Sequence, residues 1–118
     1  MTAGRLISPR FPYLPIRVTI GGQHMDVEAL LDTGFDGDVI LPPRLIDGGV
    51  PPDGHMRWTL ADDSTVLTPY YLGTVRIGTM GSFNLVISTL GNEPLVGLGL
   101  AINFTITLDH GRQVIVEP

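Results

Sequence analysis

Residues 30–38 read Leu-Leu-Asp-Thr-Gly-Phe-Asp-Gly-Asp, and this stretch decides which fold the sequence favours. In the segment before it, residues 25–29, apolar and polar residues alternate as they do in a strand with one buried face. The alternation ends at Leu30-Leu31, which is typical of a strand that becomes buried on both faces. Asp32 follows directly, and a buried carboxylate costs free energy unless it is hydrogen-bonded or neutral. Asp32 is therefore a candidate functional residue.

The segments around this stretch predict short strands joined by tight turns. Residues 16–20 also alternate, and Gly21-Gly22 after them is a two-residue turn signal, so the chain from 16 to 31 predicts a β-hairpin. A polar tip at residues 61–64 predicts a second hairpin, and residues 104–117 predict a third. Together with the remaining apolar segments, the sequence contains about eight short strands.

Helical signals are confined to two short segments. One begins at Pro42-Pro43 and ends at Gly48-Gly49, and the other lies within residues 95–103. The predicted fold class is therefore all-β, a small closed barrel with one or two short helices. The 118 residues predict a single domain, 1–118. Its residues 1–12 form an irregular N-terminal arm, either frayed or paired with a partner chain.

Composition excludes several classes of function. The net charge of -5 argues against nucleic acid as a partner, because nucleic-acid binding needs a basic face. The absence of cysteine excludes disulfide frameworks and zinc-thiolate sites. No apolar stretch approaches the ~20 residues of a membrane span, and the first residues lack the apolar core of a signal peptide. We therefore expect a cytoplasmic protein that neither spans nor binds a membrane.

A metal site is not predicted either. Asp32, Asp36 and Asp38 lie close together, but they lack the alternate-residue ligands and the terminal Glu of a calcium-binding loop. We expect no cofactor and no metal.

The chemistry open to Asp32 depends on a second carboxylate. One carboxylate that is charged can take a proton from water while a neutral one donates a proton to a carbonyl. Two carboxylates about 3 Å apart cannot both ionise, so such a pair holds both forms at once. The sequence has only one Asp-Thr-Gly, at residues 32–34. The second carboxylate then comes from another copy of the chain, and a two-fold axis would place it beside Asp32.

Three segments of the chain resemble the retropepsin-like (retroviral-type) aspartic proteases, most closely the small single-domain bacterial and archaeal members. They are Ala-Leu-Leu-Asp-Thr-Gly-Phe-Asp-Gly-Asp-Val-Ile-Leu-Pro at 29–42, the flap-like segment at 60–78, and residues 94–109, which begin Pro-Leu-Val-Gly-Leu-Gly-Leu-Ala and end in a strand. The resemblance extends over residues 16–117. It implies the retropepsin-like acid-protease barrel and an aspartic endopeptidase that works as a homodimer on peptide or protein substrates.

The resemblance also implies roles for individual residues. Asp32 would be the catalytic carboxylate, Thr33 would hydrogen-bond across the two-fold axis, and Gly34 would help to bind the substrate backbone. Gly97 would belong to an element packed beneath the catalytic loop. The residues assigned to substrate binding are Phe35, Asp36, Leu60, Ala61 and Asp62.

Two departures from the viral enzymes keep other interpretations open. Phe35 stands where the viral enzymes carry a small residue, so it either narrows the cleft or only packs. Leu98-Gly99 follows Gly97 where the viral enzymes have an Arg. The alternative function is a non-catalytic module that binds peptide or protein. A third hypothesis is a monomeric structural barrel in which Asp32 only caps a turn.

Overall fold

The computed structural model describes residues 4–118, which form ten strands, a 3-10 helix and a short α-helix. The strands are β1 (Leu6–Ser8), β2 (Tyr13–Ile20), β3 (Gln23–Leu31), β4 (Val39–Leu41), β5 (Gly54–Thr59), β6 (Thr65–Arg76), β7 (Ser82–Thr89), β8 (Leu95–Val96), β9 (Thr105–Asp109) and β10 (Gln113–Glu117). The 3-10 helix occupies Pro43–Leu45, and the helix α1 occupies Leu98–Ala101.

Six of the strands close into a barrel. Around the ring, β2 pairs with β3, β3 with β8, β8 with β4, β4 with β7, β7 with β6, and β6 returns to β2. The closing pair is antiparallel, with Val18 opposite Val75, and both side chains are fully buried. The structure confirms the predicted all-β fold with a small closed barrel.

The alternation in β2 supplies one wall of the core. Leu14, Ile16, Val18 and Ile20 are all buried, because every second residue of a strand points to the same face. The predicted Gly21-Gly22 turn joins β2 to β3, and both glycines have positive φ, at 53° and 84°. Positive φ at both turn positions gives a twist that suits a two-residue hairpin.

The end of β3 is less buried than predicted. Leu30 and Leu31 are half-buried rather than enclosed on both faces. For Leu31 the reason is that it lines an open groove at the surface of the barrel.

The two ends of the described chain form a second, three-stranded sheet in the order β1-β10-β9. Leu6 and Ser8 pair with Val116 and Val114 of the same chain, so the prediction of an irregular arm over residues 1–12 is wrong for this segment. Its residues 1–3 lie outside the described residues. The arm's strand was missed because three residues contain too little alternation to reveal it.

The helical segments are short, as predicted, but the first is shorter than its signals suggested. The 3-10 helix ends before Gly48-Gly49, because Ile46 already has extended backbone angles. No helix within residues 4–118 has the length and apolarity to cross a bilayer.

Candidate active site

Asp32 lies at the end of β3, where the backbone holds it in place. Leu31 pairs in parallel with Val96 of β8, and the Asp32 N–H donates to the Val96 carbonyl oxygen at 2.9 Å. The residue is half-buried. Asp32 is therefore positioned by main-chain hydrogen bonds, which do not depend on its side chain.

The Asp32 carboxylate is oriented by the turn that follows it. The Gly34 N–H donates to Asp32 Oδ1 at 2.9 Å, and the Phe35 N–H donates to the Asp32 carbonyl oxygen at 3.3 Å. A hydrogen bond from a backbone N–H to a carboxylate is charge-assisted and stronger than a neutral one. Thr33, within this turn, and Asp36, directly after it, are both exposed.

The segment at residues 97–99 lies directly against the loop at residues 33–38, which follows Asp32. Its three N–H groups donate to carbonyl oxygens within residues 35–38, at distances of 2.8–2.9 Å. A Cβ atom at Gly97 would overlap the Gly37 carbonyl oxygen and the Phe35 ring, so this close approach requires glycine there. Gly97 thus occupies the position that the sequence predicted for it.

Asp38 connects the loop to the barrel wall, a role that sequence reasoning missed. Its Oδ2 accepts a hydrogen bond from the Val86 N–H of β7 at 3.0 Å. From the sequence, Asp38 is considered only as a metal ligand, and no metal site is predicted. Its only local signal is that it immediately precedes the fully buried strand β4.

Leu60, Ala61 and Asp62 lie together at the tip of the hairpin formed by β5 and β6, and all three are exposed. Asp62 Oδ1 accepts hydrogen bonds from the Ser64 hydroxyl at 2.5 Å and from the Ser64 N–H at 3.0 Å. These two bonds, the hydroxyl first, hold the pKa of the Asp62 carboxyl below its usual value. The tip is therefore an ordered acidic turn rather than a glycine-rich one.

The hairpin touches the loop at residues 33–38 through an aromatic pair. Trp58 of β5 packs against Phe35 edge to face, with ring centroids 5.1 Å apart and an interplanar angle of 64°. A pair of this geometry contributes about 0.5–1.5 kcal/mol beyond the area that it buries. Nothing local in the sequence indicates which loop this hairpin reaches, so the contact of Trp58 with Phe35 is visible only in the structure.

Two polar atoms on the same hairpin are buried without a hydrogen-bond partner in the described part of the chain. They are Trp58 Nε1 and Thr68 Oγ1. Each such atom costs roughly 1–3 kcal/mol, because it has lost its hydrogen bond to water. The cost is of the same order as the gain from the aromatic contact.

Thr33 faces an apolar surface on the other side of the loop. Leu98, Ile102 and Leu108, which we call the apolar patch, line the same groove as Thr33 and are 37%, 75% and 53% exposed. The groove has a volume of about 200 Å³.

Within residues 4–118, no group of three or more His, Cys, Asp or Glu side chains is placed to hold a metal ion. Only one Asp-Thr-Gly is present in the chain. One copy therefore brings a single oriented Asp32 to the site, with the β5–β6 hairpin packed on its loop.

A crystal structure of a retropepsin-like aspartic protease from Rickettsia conorii is similar to this chain. The TM-score is 0.64 at 18% sequence identity, and the match covers 96% of this chain and 90% of that one. This chain has a retropepsin-like fold. The low identity limits the conclusion to the fold. Comparisons with protein-family models and with curated proteins found no match.

The Asp38 hydrogen bond leads to the first prediction. Replacing Asp38 with Ala leaves the Val86 N–H without its acceptor, so we expect the free energy of unfolding to fall by about 1–3 kcal/mol. Asp38→Asn keeps an oxygen at the same place and serves as the matched control, with a smaller loss. Urea unfolding at neutral pH measures both variants. Equal stability of Asp38→Ala and the wild type would rule out this role.

The Asp62 turn leads to the second prediction, which concerns pH. Because the pKa of Asp62 is lowered by folding, the turn keeps this stabilisation above the unfolded pKa of about 3.9 and loses it as pH falls through the folded pKa. We expect Ser64→Ala to raise the Asp62 pKa towards its usual value. NMR titration of the carboxyl carbon measures it. Thr59→Ala, on the same hairpin, is the control and should leave the titration unchanged; the same titration in Ser64→Ala and wild type would contradict the prediction.

Proposed function

We propose that this chain is an aspartic endopeptidase that acts as a homodimer, with one Asp32 from each copy. The observation that carries the proposal is the oriented Asp32 carboxylate at the end of β3, held by the Gly34 N–H in a retropepsin-like fold. The β5–β6 hairpin supports a peptide as the substrate, because it contacts the loop after Asp32 through Trp58 and Phe35 and would cover a peptide bound beside Asp32. The predicted cytoplasmic location remains part of the proposal.

The proposed mechanism uses the two Asp32 carboxyl groups and a water molecule. The charged carboxylate takes a proton from water while the oxygen attacks the peptide carbonyl carbon, and the neutral carboxyl donates its proton to the carbonyl oxygen. The resulting tetrahedral diol then collapses: the carboxyl that took the proton from water gives it to the nitrogen, the C–N bond breaks, and the other carboxylate takes a proton from a diol hydroxyl. An amine and a carboxylic acid are released, and the pair again holds one proton. The water attacks directly, so no covalent bond to the enzyme forms.

The apolar patch supports the homodimer. Large exposed apolar surfaces on soluble proteins often mark interaction sites, and this one adjoins Thr33, which follows Asp32. A second copy seated there by two-fold symmetry would bring the two catalytic loops together. The strands β1 and β10 pair with each other within one chain, so the edges that they share are already occupied. The apolar patch is therefore more available to a second copy than these edges.

One observation favours the alternative, a non-catalytic peptide- or protein-binding module. The contact between Phe35 and Trp58 fills the space between the hairpin and the catalytic loop. If that contact were permanent, a peptide could not reach the Asp32 pair in the orientation that hydrolysis needs.

The activity is tested by cleavage of a mixed peptide library between about pH 4 and 7. We expect the wild type to cut extended peptides, and Asp32→Asn to lose at least about 100-fold in rate, because the pair no longer shares a proton. The rate should rise and fall on the acidic side of neutral, since one carboxyl must be charged and the other protonated. Asp26→Asn, on the exposed outer face of β3, is the matched control.

The outcome of this experiment separates the two functions. Cleavage by the wild type and by Asp26→Asn, but not by Asp32→Asn, supports the endopeptidase. A dimeric wild type that cuts no peptide would refute it and favour the binding module.

The dimer is tested at the apolar patch. Ile102→Asp places a charge on a surface that the second copy would cover, so we expect the dimer dissociation constant to rise at least about 100-fold. Leu72→Asp, at a leucine that is 60% exposed on β6, is the control and should remain dimeric. Analytical ultracentrifugation measures both, and circular dichroism checks that the variants fold. Persistence of the Ile102→Asp dimer would contradict this interface.

A further inference from the structure

The space between the hairpin and the catalytic loop is filled by the protein's own aromatic rings. The Phe35 ring folds back over Gly37 and Gly97, and the Trp58 ring closes over it from β5. The terminal ring atom Trp58 Cη2 would lie 2.9 Å from a Cβ at Gly37, so the indole reaches down to the loop backbone. The two rings therefore block one side of the cleft proposed for the substrate.

The hairpin carries unsatisfied hydrogen-bonding groups on the face that meets the loop. Trp58 lies opposite Val66, and Thr68 lies two residues further along β6, so Trp58 and Thr68 share one face of the hairpin. Trp58 Nε1 and Thr68 Oγ1 are both buried and without a partner in residues 4–118, and Thr68 is only 3% exposed. The closed arrangement thus gains an aromatic contact and loses hydrogen bonds.

The aromatic contact and the unsatisfied hydrogen-bonding groups have opposite effects on the closed hairpin, which indicates that the contact between Phe35 and Trp58 can open. An aromatic pair favours closure, while a buried indole N–H without an acceptor favours any state in which it finds one. An extended peptide offers such acceptors, because each of its residues has a backbone carbonyl group. β5 lies outside the barrel ring and pairs with β6 alone among the described strands, so the hairpin end can move while the barrel stays intact.

We propose that the contact between Phe35 and Trp58 is a latch that an extended peptide displaces. On displacement, the freed Trp58 Nε1–H donates a hydrogen bond to a backbone carbonyl oxygen of the peptide. This inference rests on the proposed function, because it places the peptide in the cleft beside Asp32. It assigns Trp58 and Phe35 opposite effects on binding: Trp58 supplies a donor, and Phe35 holds that donor away from the ligand.

Two variants separate these effects. Phe35→Leu weakens the aromatic contact and raises the fraction of open hairpin, so we expect peptide binding to become about 3–10-fold tighter. Trp58→Phe keeps a ring beside Phe35 but removes the N–H, so we expect binding to become about 5–10-fold weaker. The probe is a hexapeptide with apolar side chains in which a hydroxyethylene group replaces the scissile amide. Isothermal titration calorimetry measures its affinity for each dimeric variant.

The protein itself contains a reporter of the latch. Trp58 is the only tryptophan in the sequence, so the intrinsic tryptophan fluorescence comes from Trp58 alone and depends on its contact with Phe35. We expect the emission of the free wild type to be poorly quenched by acrylamide, and to change when the probe binds. Phe35→Leu should increase quenching in the free protein. Leu67→Ala, at an exposed leucine of the same hairpin, is the control and should leave the emission unchanged.

Each outcome bears on the inference. Opposite changes in affinity for the two variants, together with an emission change on binding, support the latch, because a merely structural role would weaken binding in both. Equal weakening in both variants, or binding of the probe without an emission change, would overturn it. If the wild type cuts peptides while Trp58 emission does not respond to the probe, the latch fails and the endopeptidase stands. If the wild type neither cuts peptides nor binds the probe, the endopeptidase proposal fails. If Phe35→Leu then binds the probe where the wild type does not, the latch is supported; if neither protein binds it, the latch fails too.

Discussion

The parallel pairing of β3 with β8 is the interaction on which the site depends. It places residues 94–99 beside residues 30–38, so that backbone N–H groups of one segment meet carbonyl groups of the other. Backbone groups buried in a barrel wall must be paired, and this pairing fixes the loop as firmly as the wall itself. Asp32 is therefore held in place by main-chain hydrogen bonds. Among residues 4–118, its carboxylate accepts one hydrogen bond, from the Gly34 N–H.

The two sides of the proposed cleft are held very differently. On the loop side, the N–H groups of residues 97–99 and the Asp38 carboxylate fix the backbone to the barrel. On the hairpin side, β5 pairs only with β6 among the described strands and reaches the loop through Phe35 and Trp58. A firmly held Asp32 beside a hairpin whose strand β5 pairs only with β6 among the described strands would suit a substrate that must enter and leave. Phe35 belongs to both sides, because its backbone is part of the loop and its ring holds the hairpin.

The apolar patch and the single Asp-Thr-Gly have one explanation in common. If the chain is an aspartic endopeptidase, its single Asp-Thr-Gly would need a second carboxylate, and its apolar patch would need a cover. A second copy on the patch would provide the other carboxylate and cover Leu98, Ile102 and Leu108. Thr33 lies in that groove beside Asp32, so assembly and catalysis would meet at neighbouring residues.

The sequence by itself determined the features that depend on near neighbours. Alternation in β2, the Gly21-Gly22 turn and the position of Asp32 at a strand end are local, because side-chain direction and turn geometry involve only a few residues. Only the tertiary structure decided which distant segments meet. Asp38 bonds to Val86 across 48 positions of the chain, Phe35 meets Trp58, and β1 pairs with β10. These contacts arise from the way the barrel closes, and strands as short as β1 and β8 have too few residues to reveal their partners.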